Sequence, residues 1–140
     1  MEKEEESFGV IPLRKERGRW EVFLIQHRRS GYWGFPKGHA EPNETAQQSA
    51  FRELKEETNL ELASLVQEES LSEQYYFMLE GQRVHKTVSY FVAQVKGNVR
   101  LQKQEIHDGK WVAFPEAIHQ VTHQEGKALL IQVENILKSV

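Results

Sequence analysis

The sequence predicts an α+β fold, an α/β/α sandwich with a mixed β-sheet between helices. Three observations predict it. The first half runs strand, strand, long loop, helix. Several β-rich segments then return before the chain becomes helical again. The last segment is amphipathic at helical spacing, as a helix covering a sheet face must be. The chain has 140 residues, 39% of them hydrophobic, enough for one domain over 1–140 to build a core without staples.

The elements follow in order. Residues 1–6 (MEKEEE) are expected to be a flexible, solvated start. Ser7–Leu13 reads as a strand, RKERGR as a charged turn, and Trp20–His27 (WEVFLIQH) as a buried strand. RRSGYWGFPKGHAEPNE is a long Gly- and Pro-containing loop, and loops of that length in compact domains are usually functional. Thr45–Thr58 reads as a helix opened by a capping box, Thr45 with Gln48. Leu62–Glu69 is a further strand. Gln74–Leu79 and Val84–Val95 flank EGQR as a hairpin. Lys110–Phe114 is a short strand ending at Pro115. Pro115–Val121 forms a short helix, and Glu125–Lys138 the amphipathic one.

Composition excludes several classes. The chain has no cysteine, which removes disulfides, thiolate metal sites and cysteine nucleophiles. A net charge of −3 supplies no global basic field for duplex nucleic acid. Apolar runs are too short to cross a bilayer, and the acidic start is unlike a signal peptide. A cytoplasmic monomer without a membrane partner is expected. His85, His107, His119 and His123 lack metal-ligand spacing and read as surface residues.

The informative stretch is RELKEETNL, Arg52–Leu60. With Glu53 at zero on a helical wheel, Glu57 falls near about +40° and Glu56 near about −60°. All three carboxylates therefore project to one side. Ala46 and Ala50 lie on the same side and leave it open, while Phe51 and Leu54 occupy the adjoining face. Like charges at these spacings each cost about 0.2–0.5 kcal/mol in an isolated helix. A hard divalent cation removes that repulsion, because Mg²⁺ and Mn²⁺ prefer oxygen ligands and are commonly shared with substrate phosphates. A solvated acidic face is the competing explanation, and for a bare E-x-x-E-E it is the commoner one.

The surroundings decide against that explanation. The run GHAEPNETAQQSAFRELKEETNL resembles the Nudix box, G-x5-E-x7-R-E-U-x-E-E-x-G-U, with U a bulky aliphatic residue. Gly38, Glu44, Arg52, Glu53, Leu54, Glu56, Glu57 and Leu60 match it. Asn59 replaces the second glycine. A chance match at a given start is on the order of 10⁻⁸ at ordinary residue abundances. Asn is the usual second choice for a left-handed helix cap, so the departure touches no ligand. The resemblance implies a Nudix-like sandwich and a hydrolase of nucleoside diphosphates linked to another group. It implies Glu53, Glu56 and Glu57 as ligands of Mg²⁺, with Mn²⁺ as the alternative, and Glu53 near the attacking water. Arg52 would orient a carboxylate, with Glu44 as its partner, and Gly38 would allow close approach of loop and helix.

WGFPKGHAEPNE, HKTVSYFVAQV and EIHDGKW further resemble a subgroup of that family, the asymmetrical diadenosine tetraphosphate hydrolases. Phe91, RVHK and Ile106 depart from the subgroup pattern. The resemblance implies in-line attack of water on diadenosine tetraphosphate, giving ATP and AMP. It places Glu105 near the metals, as a ligand or as general base. Lys37, His39 and Lys86 can bind phosphates. Tyr90, or one of Tyr75 and Tyr76, can stack on a base, with Tyr76 carried as the candidate of that pair; adjacent strand residues face opposite ways. Arg28 and Arg29 are either a solvated turn or a pair facing phosphates. The alternatives are another Nudix pyrophosphohydrolase activity, on an RNA 5′-triphosphate end or a modified nucleoside triphosphate, and a non-catalytic nucleotide-binding domain. The complete carboxylate set disfavours the last.

Overall fold

In the computed structural model, which describes residues 2–139, the first strand, β1 (Lys3–Glu16), begins well before the predicted position. The expected frayed start is therefore corrected for Lys3–Glu6, while Met1 lies outside the described residues. These residues pair in parallel with Val84–Thr87. Side-chain partners meet the acidic run here. Glu4 meets His85 at 2.9 Å and Glu5 meets Lys86 at 3.6 Å, each beside its ladder partner.

β1 turns through Arg17 and Gly18, both at positive φ, into β2 (Arg19–His27). The charged turn is thus two residues, the length that suits a twisted hairpin, and Arg14–Glu16 belong to the strand. The long loop contains two short strands, β3 (Trp33–Gly34) and β4 (Lys37–Gly38), which pair with β2 and β1. Helix α1 (Ala46–Thr58) follows, and Thr45 caps it with the reciprocal Gln48 bonds that the sequence predicts.

The later strands are β5 (Glu61–Leu65), β6 (Leu71–Leu79), β7 (Gln82–Lys96) and β8 (Ile106–Ala113). The segment predicted at Leu62–Glu69 ends early, and β6 and β8 start earlier than predicted. α2 (Glu116–Gln120) and α3 (Gln124–Leu137) close the chain. The sheet is mixed: β1 and β7 run parallel at its centre and the other pairs are antiparallel.

The central strands are buried on both sides, so their apolar residues run consecutively instead of alternating with polar ones. Ile11, Leu13, Val88, Tyr90 and Val92 pack beneath α3, which contributes Leu129, Leu130 and Val133. Val10, Phe23, Ile25 and Phe91 pack beneath α1, which contributes Ala50 and Leu54. This is the predicted α/β/α sandwich. Ala50 thus belongs to the packed face of α1 and is fully buried.

Candidate active site

Arg52 organises the N-terminal half of the site. Its Nε and Nη2 donate to the two Glu44 oxygens at 2.7 and 3.1 Å. Nη1 donates to Glu53 and Glu56 at 3.1 Å each, and Nη2 also reaches the His39 carbonyl at 2.9 Å. The fork of a guanidinium can serve several acceptors in one plane, which a lysine cannot. Glu44 also accepts from the Glu41 N–H and the Ser49 hydroxyl. Hydrogen bonds from Arg52 and from the Glu41 backbone hold its pKa down at about 2. Glu44 is therefore a fixed anion that locks the loop onto α1.

Gly38 sits against Glu53. A Cβ there would overlap the Glu53 carboxylate, so the glycine is required for the approach of β4 to α1. Burial raises the Glu53 pKa, against the lowering effect of Arg52.

Glu57 is the most constrained carboxylate. It is 7% exposed, and its Oε1 is buried with no hydrogen-bond partner among the described residues. Burial, then the charge of Glu53, pushes its pKa up to about 8. The Lys37 backbone N–H and ammonium act in the opposite direction. A buried acceptor left without a donor is costly unless a cation meets it. Glu53 lies beside both Glu56 and Glu57. The three carboxylates do not converge within 4.8 Å among the described residues. The unmet Glu57 oxygen and its neighbour Glu53 are oxygen donors of the kind a hard divalent ion takes.

The C-terminus of α1 carries the second half of the site. The Glu57 and Thr58 carbonyls, open at the helix end, accept from the N–H groups of Gln102 and Arg100 at 3.0 and 2.9 Å. Arg28 clamps the same loop, through Nε to the Lys103 carbonyl and through its N–H to the Glu105 carbonyl, both at 2.8 Å. This brings Glu105 close enough to add to the upward shift of Glu57. Asn59 ends the helix at φ 69°, the left-handed cap the sequence predicts, and its side chain donates to the Asn98 carbonyl at 2.8 Å.

Lys37, Glu57, Glu105 and Arg28 line a cleft of about 1180 Å³, while Glu53 and Glu56 lie outside its lining. Tyr75, Tyr90 and Glu73 also line it, with Lys37 near enough to Glu73 to act on its charge, as do the exposed His123 and Glu125.

Several predicted substrate residues lie elsewhere or differently. The His39 ring is turned to the Glu6 carbonyl at 3.1 Å, and its own carbonyl is occupied by Arg52. Lys86 is 8% exposed and paired with Glu5, so its charge is met within the sheet and not offered to the cleft. Tyr90 is core: it packs edge-on to Phe35 and its hydroxyl donates to Glu73 at 3.2 Å. It forms the floor, with no face open for stacking.

Tyr76 touches the cleft edge, but its ring stacks on His85 at 4.6 Å beneath the Arg83 guanidinium. Register explains this. Tyr76 opposes His85, while Tyr75 opposes Lys86, on the sheet face that also carries Tyr90. Tyr75 is therefore the half-buried ring on the cleft side. His85, expected at the surface, is tied to Glu4 and Gln74.

His27 and Glu73 are among the cleft residues that the sequence did not point to. His27 follows a β-bulge that shifts the register against β8, a device that re-aims side chains. Burial and the charge of Lys37 lower its pKa. Glu73 was readable in principle: it shares a strand face with Tyr75, two residues on.

The NUDIX domain model matches residues 3–132. The asymmetrical bis(5′-nucleosyl)-tetraphosphatase of Caenorhabditis elegans is 32% identical over 124 residues, covering 87% of this chain and 88% of that protein. The mutator protein MutT4 of Mycobacterium tuberculosis is 33% identical over 106 residues, covering 75% of this chain but 42% of that longer protein. A crystal structure of a C. elegans Ap4A hydrolase binary complex superposes with a TM-score of 0.75 at 26% identity, over 96% of this chain and 98% of that one.

Proposed function

This chain belongs to the Nudix hydrolase family, and on that premise we propose that it hydrolyses diadenosine tetraphosphate to ATP and AMP by in-line attack of water. The observation that carries the reading is the Oε1 of Glu57, buried and without a hydrogen-bond partner among the described residues, on the helix that also carries Glu53 and Glu56. The tetraphosphatase relative covering nearly the whole chain supports the choice of substrate. So does the size of the cleft, which exceeds the roughly 300–1,000 Å³ of ordinary small-ligand sites and leaves room for a dinucleotide.

Glu53, Glu56 and Glu57 would hold Mg²⁺, or Mn²⁺ in its place. Bound there, the ion supplies charge neutralisation at the phosphate oxygens and acidifies water. The protein does the rest. Arg52 fastens Glu53 and Glu56 in one geometry, so the ligand set is organised before substrate arrives. Lys37 contributes a cation to the cleft for a non-bridging phosphate oxygen. Glu105, carried beside Glu57 by the loop from Arg100, takes the proton of the attacking water. Water attacks phosphorus directly, one P–O bridge breaks, and the leaving phosphate departs as an anion.

The test is product analysis. With Mg²⁺, the protein is offered diadenosine tetraphosphate, a 5′-triphosphorylated RNA and a panel of nucleoside triphosphates, and products are resolved by ion exchange. ATP and AMP in equal amounts, formed faster than any other product, are expected. Two ADP, or faster turnover of the RNA or a nucleoside triphosphate, would overturn the reading.

A further inference from the structure

Glu73 is a cleft carboxylate that the proposed hydrolysis does not use. It lies on β6, on the inward face shared with Leu71, Tyr75 and Phe77. Its hydrogen-bond partner is a hydroxyl, that of Tyr90 at 3.2 Å, and no cation forms an ion pair with it among the described residues. Burial raises its pKa and Glu125 at the cleft rim adds to that shift, while the Tyr90 hydroxyl, Lys37 and His123 act against it. A half-buried carboxylate with a single neutral donor keeps unused acceptor capacity, since an ionised carboxylate has about four lone-pair sites. That capacity is open to the cleft, since no Glu73 oxygen is among the described buried atoms left without a partner, and a ligand donor can reach it there.

The surroundings indicate which donor. Tyr75, two residues along the same face, presents a half-buried aromatic ring to the cleft. Phe35 and Tyr90 supply apolar floor. Lys37 lies between this aromatic end and Glu57, near enough to act on the charge of Glu73, so a phosphate held at Lys37 would leave its base beside Tyr75. A flat heterocycle beside Tyr75 would turn an edge toward Glu73. Tyr90 already fills one oxygen of that carboxylate, and its ring is locked by Phe35, so the carboxylate is held in place before any base arrives.

We propose that Glu73 determines base specificity, accepting a hydrogen bond from the exocyclic 6-amino group of an adenine seated against Tyr75. This rests on the reading that the cleft takes a nucleotide. A 6-oxo purine would set oxygen against carboxylate, and a purine without a 6-substituent would leave Glu73 unmet. Charge-assisted bonds of this kind are the strong ones, so the amino group matters more here than at a neutral acceptor.

The experiment reads binding and not turnover, so that it stands apart from the identity of the hydrolysed substrate. The full chain, with Ca²⁺, is titrated calorimetrically with ATP and with purine riboside 5′-triphosphate, which differs only in lacking the amino group. ATP is expected to bind the wild type about 10-fold tighter, the worth of one hydrogen bond to a charged group. In Glu73→Ala the two ligands should bind equally. Glu73→Gln keeps an acceptor for Tyr90 and so tests the same point in a protein with its wall intact; its ratio should fall to a few-fold. A wild type that does not discriminate, binding of neither ligand, or variants that keep the wild-type ratio would overturn the assignment. Discrimination without turnover of diadenosine tetraphosphate would instead sink the substrate reading and leave Glu73 standing.

Discussion

Gly38 and Glu53 are packed so closely that the glycine Cα lies where no side chain fits beside the carboxylate. The glycine is therefore a condition of ligand geometry and not of loop flexibility. Gly38→Ala should displace Glu53, whose flexible end can yield, and leave the fold largely intact. We expect kcat/KM to fall about 100-fold, the scale of a misplacement near 1 Å. A parallel magnesium titration should show weaker binding, with Tm changed by only a few degrees. Wild-type activity in this variant would show that Glu53 is not held by the contact.

Glu57 gives a pH prediction with a definite sign. Its folded pKa of about 8 lies above the ordinary carboxylate value of 4.5. The folded, metal-free protein therefore binds more protons than the unfolded chain between those limits. The resulting stability is fully present below about 4.5 and is lost as pH rises through about 8. Melts in chelator should show Tm declining over that window. Glu57→Gln removes the dependence and should stabilise the metal-free protein by roughly 1–3 kcal/mol while nearly abolishing turnover. Metal binding must displace the same proton, so calorimetry in buffers of differing ionisation enthalpy should register about one proton released near pH 7.

Asn59 tests the one departure from the box. At φ 69° an alanine pays about 1–2 kcal/mol for the left-handed backbone, whereas glycine pays none. Asn59→Gly loses the bond to Asn98 but relaxes the cap, and should stay within about 0.5 kcal/mol of wild type. Asn59→Ala should be destabilised by about 1 kcal/mol or more with kcat unchanged. Denaturant titrations separate the two variants. Loss of kcat in Asn59→Gly would mean that the Asn98 contact serves the site.

Tyr75 and Tyr76 provide an internal control. Tyr75→Ala should raise the KM for the dinucleotide about 10-fold by removing a stacking face. Tyr76→Ala, on the opposite side of the sheet, should leave KM within about twofold while costing local stability through His85 and Arg83. Initial-rate kinetics on both variants decide the matter, and the reverse pattern would reassign the platform to Tyr76.

The carboxylate helix was readable because its spacing is local. Glu53, Glu56 and Glu57 share one helical turn, so the chain itself dictates that they neighbour one another once α1 forms. The Thr45 cap and the Asn59 stop are equally local, each set by bonds within a few residues. Tyr75 against Tyr76 was not readable, since alternation says that they diverge but not which face meets the cleft. Lys86 looked free because its neighbour in space, Glu5, is distant in the chain.

Sequence alone thus determined the sandwich and the carboxylate helix, which follow from periodicity and short-range spacing, and its resemblance to the Nudix box pointed to the family. Tertiary structure decided the long-range matters. The parallel pairing of β1 with β7 turned an acidic tail into a strand and consumed Lys86. The Arg100–Glu105 loop, tied to the open carbonyls of α1, delivered Glu105 to Glu57. Strand register chose Tyr75 and Glu73 for the cleft. A one-residue shift in that register would exchange every face, and the energy that forbids it lies in the packed core between strands distant in sequence.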